Sequence, residues 1–119
     1  MVAPATGEVV LVRFPFSDLS ETKLRPAVLL ASADRGDWVL CQVTSKLYGD
    51  ARAIPIDAAG LASGSLRLVS YARPGKLFTA NQSLIVGPAG LLKAELCNKI
   101  IESVVLLLRD VNPDCTVRC

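Results

Sequence analysis

The chain has 119 residues, 51% of them hydrophobic and 20% charged, with 13 basic against 11 acidic side chains. That is the size of one domain, too apolar for global disorder, and its 8 glycines and 7 prolines are too scattered for a collagen-like or low-complexity chain. It contains no histidine, which removes imidazole bases, Ser-His-Asp and Cys-His arrangements and the common histidine metal sites.

Gly7 to Phe16 (GEVVLVRFPF) is β-branched and apolar, and predicts a strand over about residues 8–14. Pro15 and the polar stretch Ser17 to Lys23 then make a long loop. Pro26 to Ala31 and Trp38 to Thr44, separated by the turn Asp34-Arg35-Gly36-Asp37, are too uniformly apolar for strands with one wet face. They read as buried central strands. Ala53-Ile54-Pro55-Ile56 is a short segment whose proline suits a sheet edge. Leu66 to Ala72 alternates less cleanly, and Lys76 to Thr79 and Ser83 to Gly87 complete six or seven short strands. That spacing argues for a small barrel or sandwich. After Gly87-Pro88 the period changes. Leu92, Leu96, Ile100, Val104 and Leu108 recur every four residues, which predicts an amphipathic helix over about residues 91–110, ended by Asn112-Pro113. The expected fold is therefore mainly β with a C-terminal α-helix, in one domain over residues 1–119. The barrel takes about residues 7–88 and a tail takes 111–119.

Of the four cysteines, Cys115 and Cys119 lie near the chain end, and no second thiol pair has ligand-like spacing. Free thiols are expected, with no metal and no other cofactor. The opening MVAPATGEVV lacks the basic region and long apolar core of a signal peptide, and the run Val104 to Leu108 is far short of the roughly 20 residues that span a bilayer. A cytoplasmic protein with reduced thiols and no membrane contact is expected.

Three local signatures occur in order. GEVVLVRFPFSDLSETKLRPAVLLAS, in which Arg25-Pro26 opens the second strand, resembles the start of the PemK/MazF-like toxin family. Leu40-Cys41-Gln42-Val43-Thr44-Ser45 is similar to the family's third strand, which ends in Thr-Ser. Ser70-Tyr71-Ala72-Arg73-Pro74-Gly75-Lys76-Leu77-Phe78 is similar to a segment of one branch of that family. The resemblance covers about residues 7–108. It implies an SH3-like barrel with a C-terminal helix, usually a homodimer, that cleaves single-stranded RNA without metal and is restrained by an acidic antitoxin protein. DNA binding also comes with the resemblance. It further implies that Arg25 and Thr44 are the catalytic pair.

The residues suit that chemistry. RNA is cut without metal when its 2′-hydroxyl attacks the adjacent phosphorus, leaving a 2′,3′-cyclic phosphate and a 5′-hydroxyl. Arg25 can stabilise the charge growing on the phosphorane oxygens, because a guanidinium fork matches phosphate and stays charged. It is a poor base: with a pKa above about 12, deprotonation near pH 7 costs roughly 7 kcal/mol. Read without the family, Arg25 is an edge-strand surface residue. Thr44 can donate its hydroxyl hydrogen to a phosphate oxygen, Ser45 stands beside it, and Gln42 shares its strand face. The basic surplus lies in residues 47–80, with Arg52, Arg67, Arg73 and Lys76 against Asp50 and Asp57. Together with Lys23, Arg25 and Lys46, these cations can line a groove for an RNA backbone, with Phe14, Phe16 and Tyr71 as stacking platforms.

The chain also departs from the family pattern. It lacks the first-loop histidine of some members, and Ser70-Tyr71 stands where they carry an acidic residue followed by Gln. That leaves Asp18 and Glu21 as candidate proton acceptors. It also keeps open a second function: a non-catalytic binding module of the same fold, either gyrase-poisoning or antitoxin-binding only.

Overall fold

The computed structural model describes residues 4–15, 22–46, 49–66 and 69–109. Among these residues, seven strands and one α-helix follow in chain order: β1 (Glu8–Pro15), β2 (Thr22–Ser32), β3 (Asp37–Thr44), β4 (Ile54–Ile56), β5 (Leu61–Gly64), β6 (Ser70–Asn81), β7 (Ile85–Leu92) and α1 (Ala94–Arg109). The strands form one antiparallel sheet in the order β4-β6-β3-β2-β1-β7-β5, curled into a nearly closed barrel. β2 and β3 are interior strands, as their unbroken apolar runs predict, and β4 with its Pro55 is an edge.

Valines and leucines on successive positions of β1 and β2 bury both strand faces, which is what a curled sheet with a helix on one side demands. One cluster gathers Val9, Val28, Leu30, Cys41, Val43, Ile54, Ile56 and Ala72 under Cys97 and Ile100 of α1. The other face carries Val10, Val12, Ala27, Leu29, Leu40 and Ala80, with Trp38, Phe78 and Ile85 packed against them. At about 25 cal/mol per Å² of apolar surface removed from water, these two clusters drive the fold.

Three expectations need correction. Leu61–Gly64 is a strand that the sequence did not announce. Residues 76–79 are not a separate strand: β6 runs through from Ser70 to Asn81. Its register jumps between the pairs Cys41↔Leu77 and Gln42↔Arg73, so Pro74, Gly75 and Lys76 form a bulge rather than a turn. Pro74 is fully buried there, which bends the strand without ending it. The helix also begins later than residue 91, because β7 continues through Leu92, beyond the expected barrel end at residue 88.

The row of apolar residues at every fourth position does not face the core throughout. Each four-residue step on a helix of 3.6 residues per turn advances the row by about 40°. The face that packs is Cys97, Ile100, Ile101 and Val104, while Leu108 has turned out to 73% exposure. Glu95 in the first turn and Arg109 in the last both complement the helix dipole. No helix among the described residues is long and apolar enough to cross a membrane. The tail after Arg109, with Cys115 and Cys119, lies outside the described residues.

Cys41 sits at the centre of the helix-side cluster, fully buried, and desolvation pushes its thiol up to about 12. The folded protein therefore keeps a proton that the unfolded chain gives up near 9.0. Stability is untouched below that value and falls as pH rises from it towards 12. The expected slope is about 1.4 kcal/mol per pH unit. Urea unfolding at pH 8, 9.5 and 10.5 checks this, since Cys41→Ala should flatten the alkaline fall.

Candidate functional site

The strand pairing decides which side chains meet. Val12 of β1 stands opposite Arg25 of β2, and Val10 stands opposite Ala27. Ala27 in turn pairs with Gln42 of β3, and Gln42 with Arg73 of β6. Thr44 pairs with Tyr71, and Tyr71 with Pro55. The β2–β3 pairing ends at Ala27 and Gln42, so Arg25 and Thr44 each lie two residues beyond it on adjacent strands. One row, Val10–Ala27–Gln42–Arg73, crosses four strands, and beside it lie the pair Val12–Arg25 and the row Thr44–Tyr71–Pro55. Cross-strand neighbours share a face. This face belongs to the Val10, Val12 and Ala27 cluster and lies opposite the one that α1 covers.

Arg25 is exposed, yet β2 is an interior strand, so the edge-strand description of this residue is overturned. Lys23, two residues back along β2, is exposed on the same side. Thr44 closes β3, half-buried, and its Oγ1 accepts the backbone N–H of Lys46 at 3.2 Å. That bond fixes the oxygen, and the hydroxyl hydrogen then serves as donor. Strands lie about 4.8 Å apart, a spacing that one phosphate bridges.

The other nominated residues fall in different places. Gln42 is half-buried between Ala27 and Arg73. Ser45 and Lys46 are exposed just beyond the end of β3, and Lys76 is exposed on the bulge of β6. Tyr71 is half-buried beside Thr44, whereas the Phe14 side chain and Phe16 lie outside the described residues, as do Arg67, Asp18 and Glu21. Ser70 is buried at 7% exposure and pairs with Ile56.

The ion pair between Arg73 and Asp50 was not foreseen from the sequence. Arg73 donates from Nε to Oδ2 of Asp50 at 3.0 Å, with both side chains 18% exposed. The other oxygen of Asp50, Oδ1, accepts the Arg52 amide at 2.9 Å. The Arg52 amide first, and the Arg73 guanidinium second, hold the Asp50 carboxyl below its ordinary value, so it is ionised at neutral pH. The dipeptide Gly49-Asp50 signals the local turn; its partner 23 residues on has no local signature. No cluster of three or more His, Cys, Asp or Glu side chains among the described residues has the geometry to hold a metal ion.

A small, nearly closed antiparallel barrel with one helix packed on a single face is an SH3-like barrel, with Arg25 and Thr44 on the side of the sheet opposite α1. Among solved structures this fold is that of the MazF toxins. A MazE–MazF complex from Deinococcus radiodurans matches with a TM-score of 0.72 at 20% identity, over 91% of this chain and 97% of that one. A MazF toxin of Mycobacterium tuberculosis matches with a TM-score of 0.66 at 17% identity, over 88% and 98%. An endoribonuclease bound to its cognate antitoxin, from a mycobacterial species, gives 0.66 at 17% identity, over 91% and 95%. No family model matches the sequence, and none of the curated proteins does.

Proposed function

We infer that this chain is a toxin of the PemK/MazF-like family, a metal-independent endoribonuclease for single-stranded RNA, active as a homodimer and restrained by an acidic antitoxin. The observation that carries this reading is that Arg25 and Thr44 lie on adjacent strands, each two residues beyond the Ala27↔Gln42 pair, on the sheet face opposite α1. The fold match, over 88–91% of this chain, to solved MazF toxins and to an endoribonuclease solved with its antitoxin supports it. So does the placement of Lys23, Gln42 and Arg73 on the same face.

In this chemistry the 2′-oxygen of the substrate forms a bond to phosphorus, and the bond from phosphorus to the 5′-oxygen breaks. The 2′-hydroxyl gives up its proton and the 5′-oxygen gains one. Arg25 supplies a fixed positive charge for the nonbridging oxygens, which carry more charge in the transition state than in the substrate. Thr44, its oxygen already anchored by the Lys46 amide, turns its hydroxyl hydrogen to the same phosphate. Both groups also orient the attack in line.

A second reading has its own observation. The position at which some family members carry an acid is here the buried Ser70, and the chain has no histidine. That combination favours a non-catalytic toxin-fold module. Incubation of the purified protein with mixed single-stranded RNA in excess chelator separates the two. Discrete cuts with 2′,3′-cyclic phosphate and 5′-hydroxyl ends are expected. Intact RNA would overturn the nuclease reading, and stalled DNA supercoiling in the same preparation would put a gyrase poison in its place.

A further inference from the structure

The geometry points to Asp50 as a positioning residue for RNA binding, one that holds the Arg73 guanidinium beside Gln42 and Thr44 to meet a phosphate flanking the scissile one. This rests on the nuclease reading above. Asp50 is itself anchored, because Oδ1 takes the Arg52 amide while Oδ2 takes Nε of Arg73. Arg73 stands opposite Gln42 and two residues from Tyr71, the partner of Thr44. An arginine side chain has several rotatable bonds, and a mobile one must surrender that freedom when it binds a phosphate. Here the folded loop has already restricted it, and a site with a preorganised cation binds more tightly than one that must order it.

Charge alone makes the opposite prediction. Asp50 is an anion next to the proposed RNA path, so its neutralisation should tighten RNA binding. The sign of the change therefore tests the inference. The probe is a mixed-sequence single-stranded RNA with 2′-O-methyl riboses, which cannot attack their own phosphates, titrated over a range of salt.

Asp50→Asn and Asp50→Ser both retain an acceptor for the Arg52 amide and lose the ion pair. Each should weaken binding about tenfold, the scale of one charge-assisted hydrogen bond. Each should also lower the slope of log affinity against log salt by about 0.7, one phosphate contact on a single strand. Arg73→Gln should do the same, and the Asp50→Asn/Arg73→Gln pair should bind no more weakly than Arg73→Gln alone. Glu102→Gln, on the exposed side of α1, controls for the change in net charge.

Folded Asp50 variants that bind RNA as tightly as the parent or more tightly would overturn the inference, as would effects that add to that of Arg73→Gln. Cleavage of unmodified RNA by the parent protein, scored in parallel, keeps the two readings apart. Cleavage with no Asp50 effect removes the positioning role alone. A folded parent that neither binds nor cuts RNA removes both.

Discussion

Arg25→Ala should lower RNA cleavage by about 10²–10³, which is the loss of roughly 3–4 kcal/mol of transition-state stabilisation expected when one preorganised charge is removed. The fold should survive the change. Arg25 is exposed, and the buried cluster on its face is made by Val10, Val12, Ala27, Leu29, Leu40 and Ala80, none of which the substitution touches. Circular dichroism and the melting temperature should stay close to those of the parent. Arg25→Lys should rescue little, because an ammonium is a point charge that cannot fork two phosphate oxygens. Thr44→Val is the complementary test. It is nearly isosteric, removes the hydroxyl, and leaves the Lys46 amide without its acceptor; the rate should fall without a cavity opening in the sheet. Parent-level cleavage by Arg25→Ala would sink the assignment. A folded Arg25→Ala that lost RNA binding and cleavage in equal measure would make Arg25 a binding residue only.

Arg25 and Thr44 were legible as separate residues but not as neighbours. Each stands in a short pattern, Arg-Pro or Thr-Ser, that is common in itself, and only the order of three such patterns singled them out. What brings their strands together is the antiparallel register of β2 and β3, in which Ala27, two residues from Arg25, meets Gln42, two residues from Thr44. Register depends on which faces are buried across several strands, and no local stretch of chain encodes that. The same holds for Asp50. Its turn is visible in Gly49-Asp50, but its ion pair with Arg73 exists only because β6 lies between β3 and β4, the strands that border the Asp50 loop.

The strands were read where β-branched and aromatic side chains run together, as in Glu8–Pro15 and Asp37–Thr44, and missed where pairing alone makes them. Leu61-Ala62-Ser63-Gly64 has little intrinsic strand preference. It becomes β5 because β7 offers it an unpaired edge, with Leu61 opposite Leu92 and Gly64 opposite Gly90. Pro74-Gly75 carries the chemistry of a turn, and the chain indeed bends there. Burial of the proline ring turns that bend into a bulge within a continuous strand. The late start of α1 has a related cause: Gly87 and Pro88 still pair with β1, so the break in period precedes the end of the sheet.

That weakly specified edge predicts the largest stability effect in the molecule. Gly64 has φ +77, and a Cβ built on it would lie 2.5 Å from the Gly90 Cα and 2.6 Å from the Ala89 carbonyl oxygen. Both obstacles are backbone, so no rotamer change relieves them. Any side chain there also meets the strain of a left-handed conformation, about 1–2 kcal/mol by itself. Gly64→Ala must therefore push β5 away from β7, and a loss of about 3 kcal/mol or more is expected. For a domain of this size that means a melting temperature lower by roughly 10 °C. Gly87→Ala is the matched control on β7. Its Cβ would meet nothing within 4 Å, and its φ is not positive. It should be neutral or stabilising by up to about 1 kcal/mol, through the reduced freedom of the unfolded chain. Thermal unfolding of the three proteins compares them directly, and equal midpoints for Gly64→Ala and the parent would show that β5 is not held as described. Because β5 pairs only with β7, across the sheet from β3 and β6, Gly64→Ala should keep full cleavage per folded molecule well below its lowered midpoint.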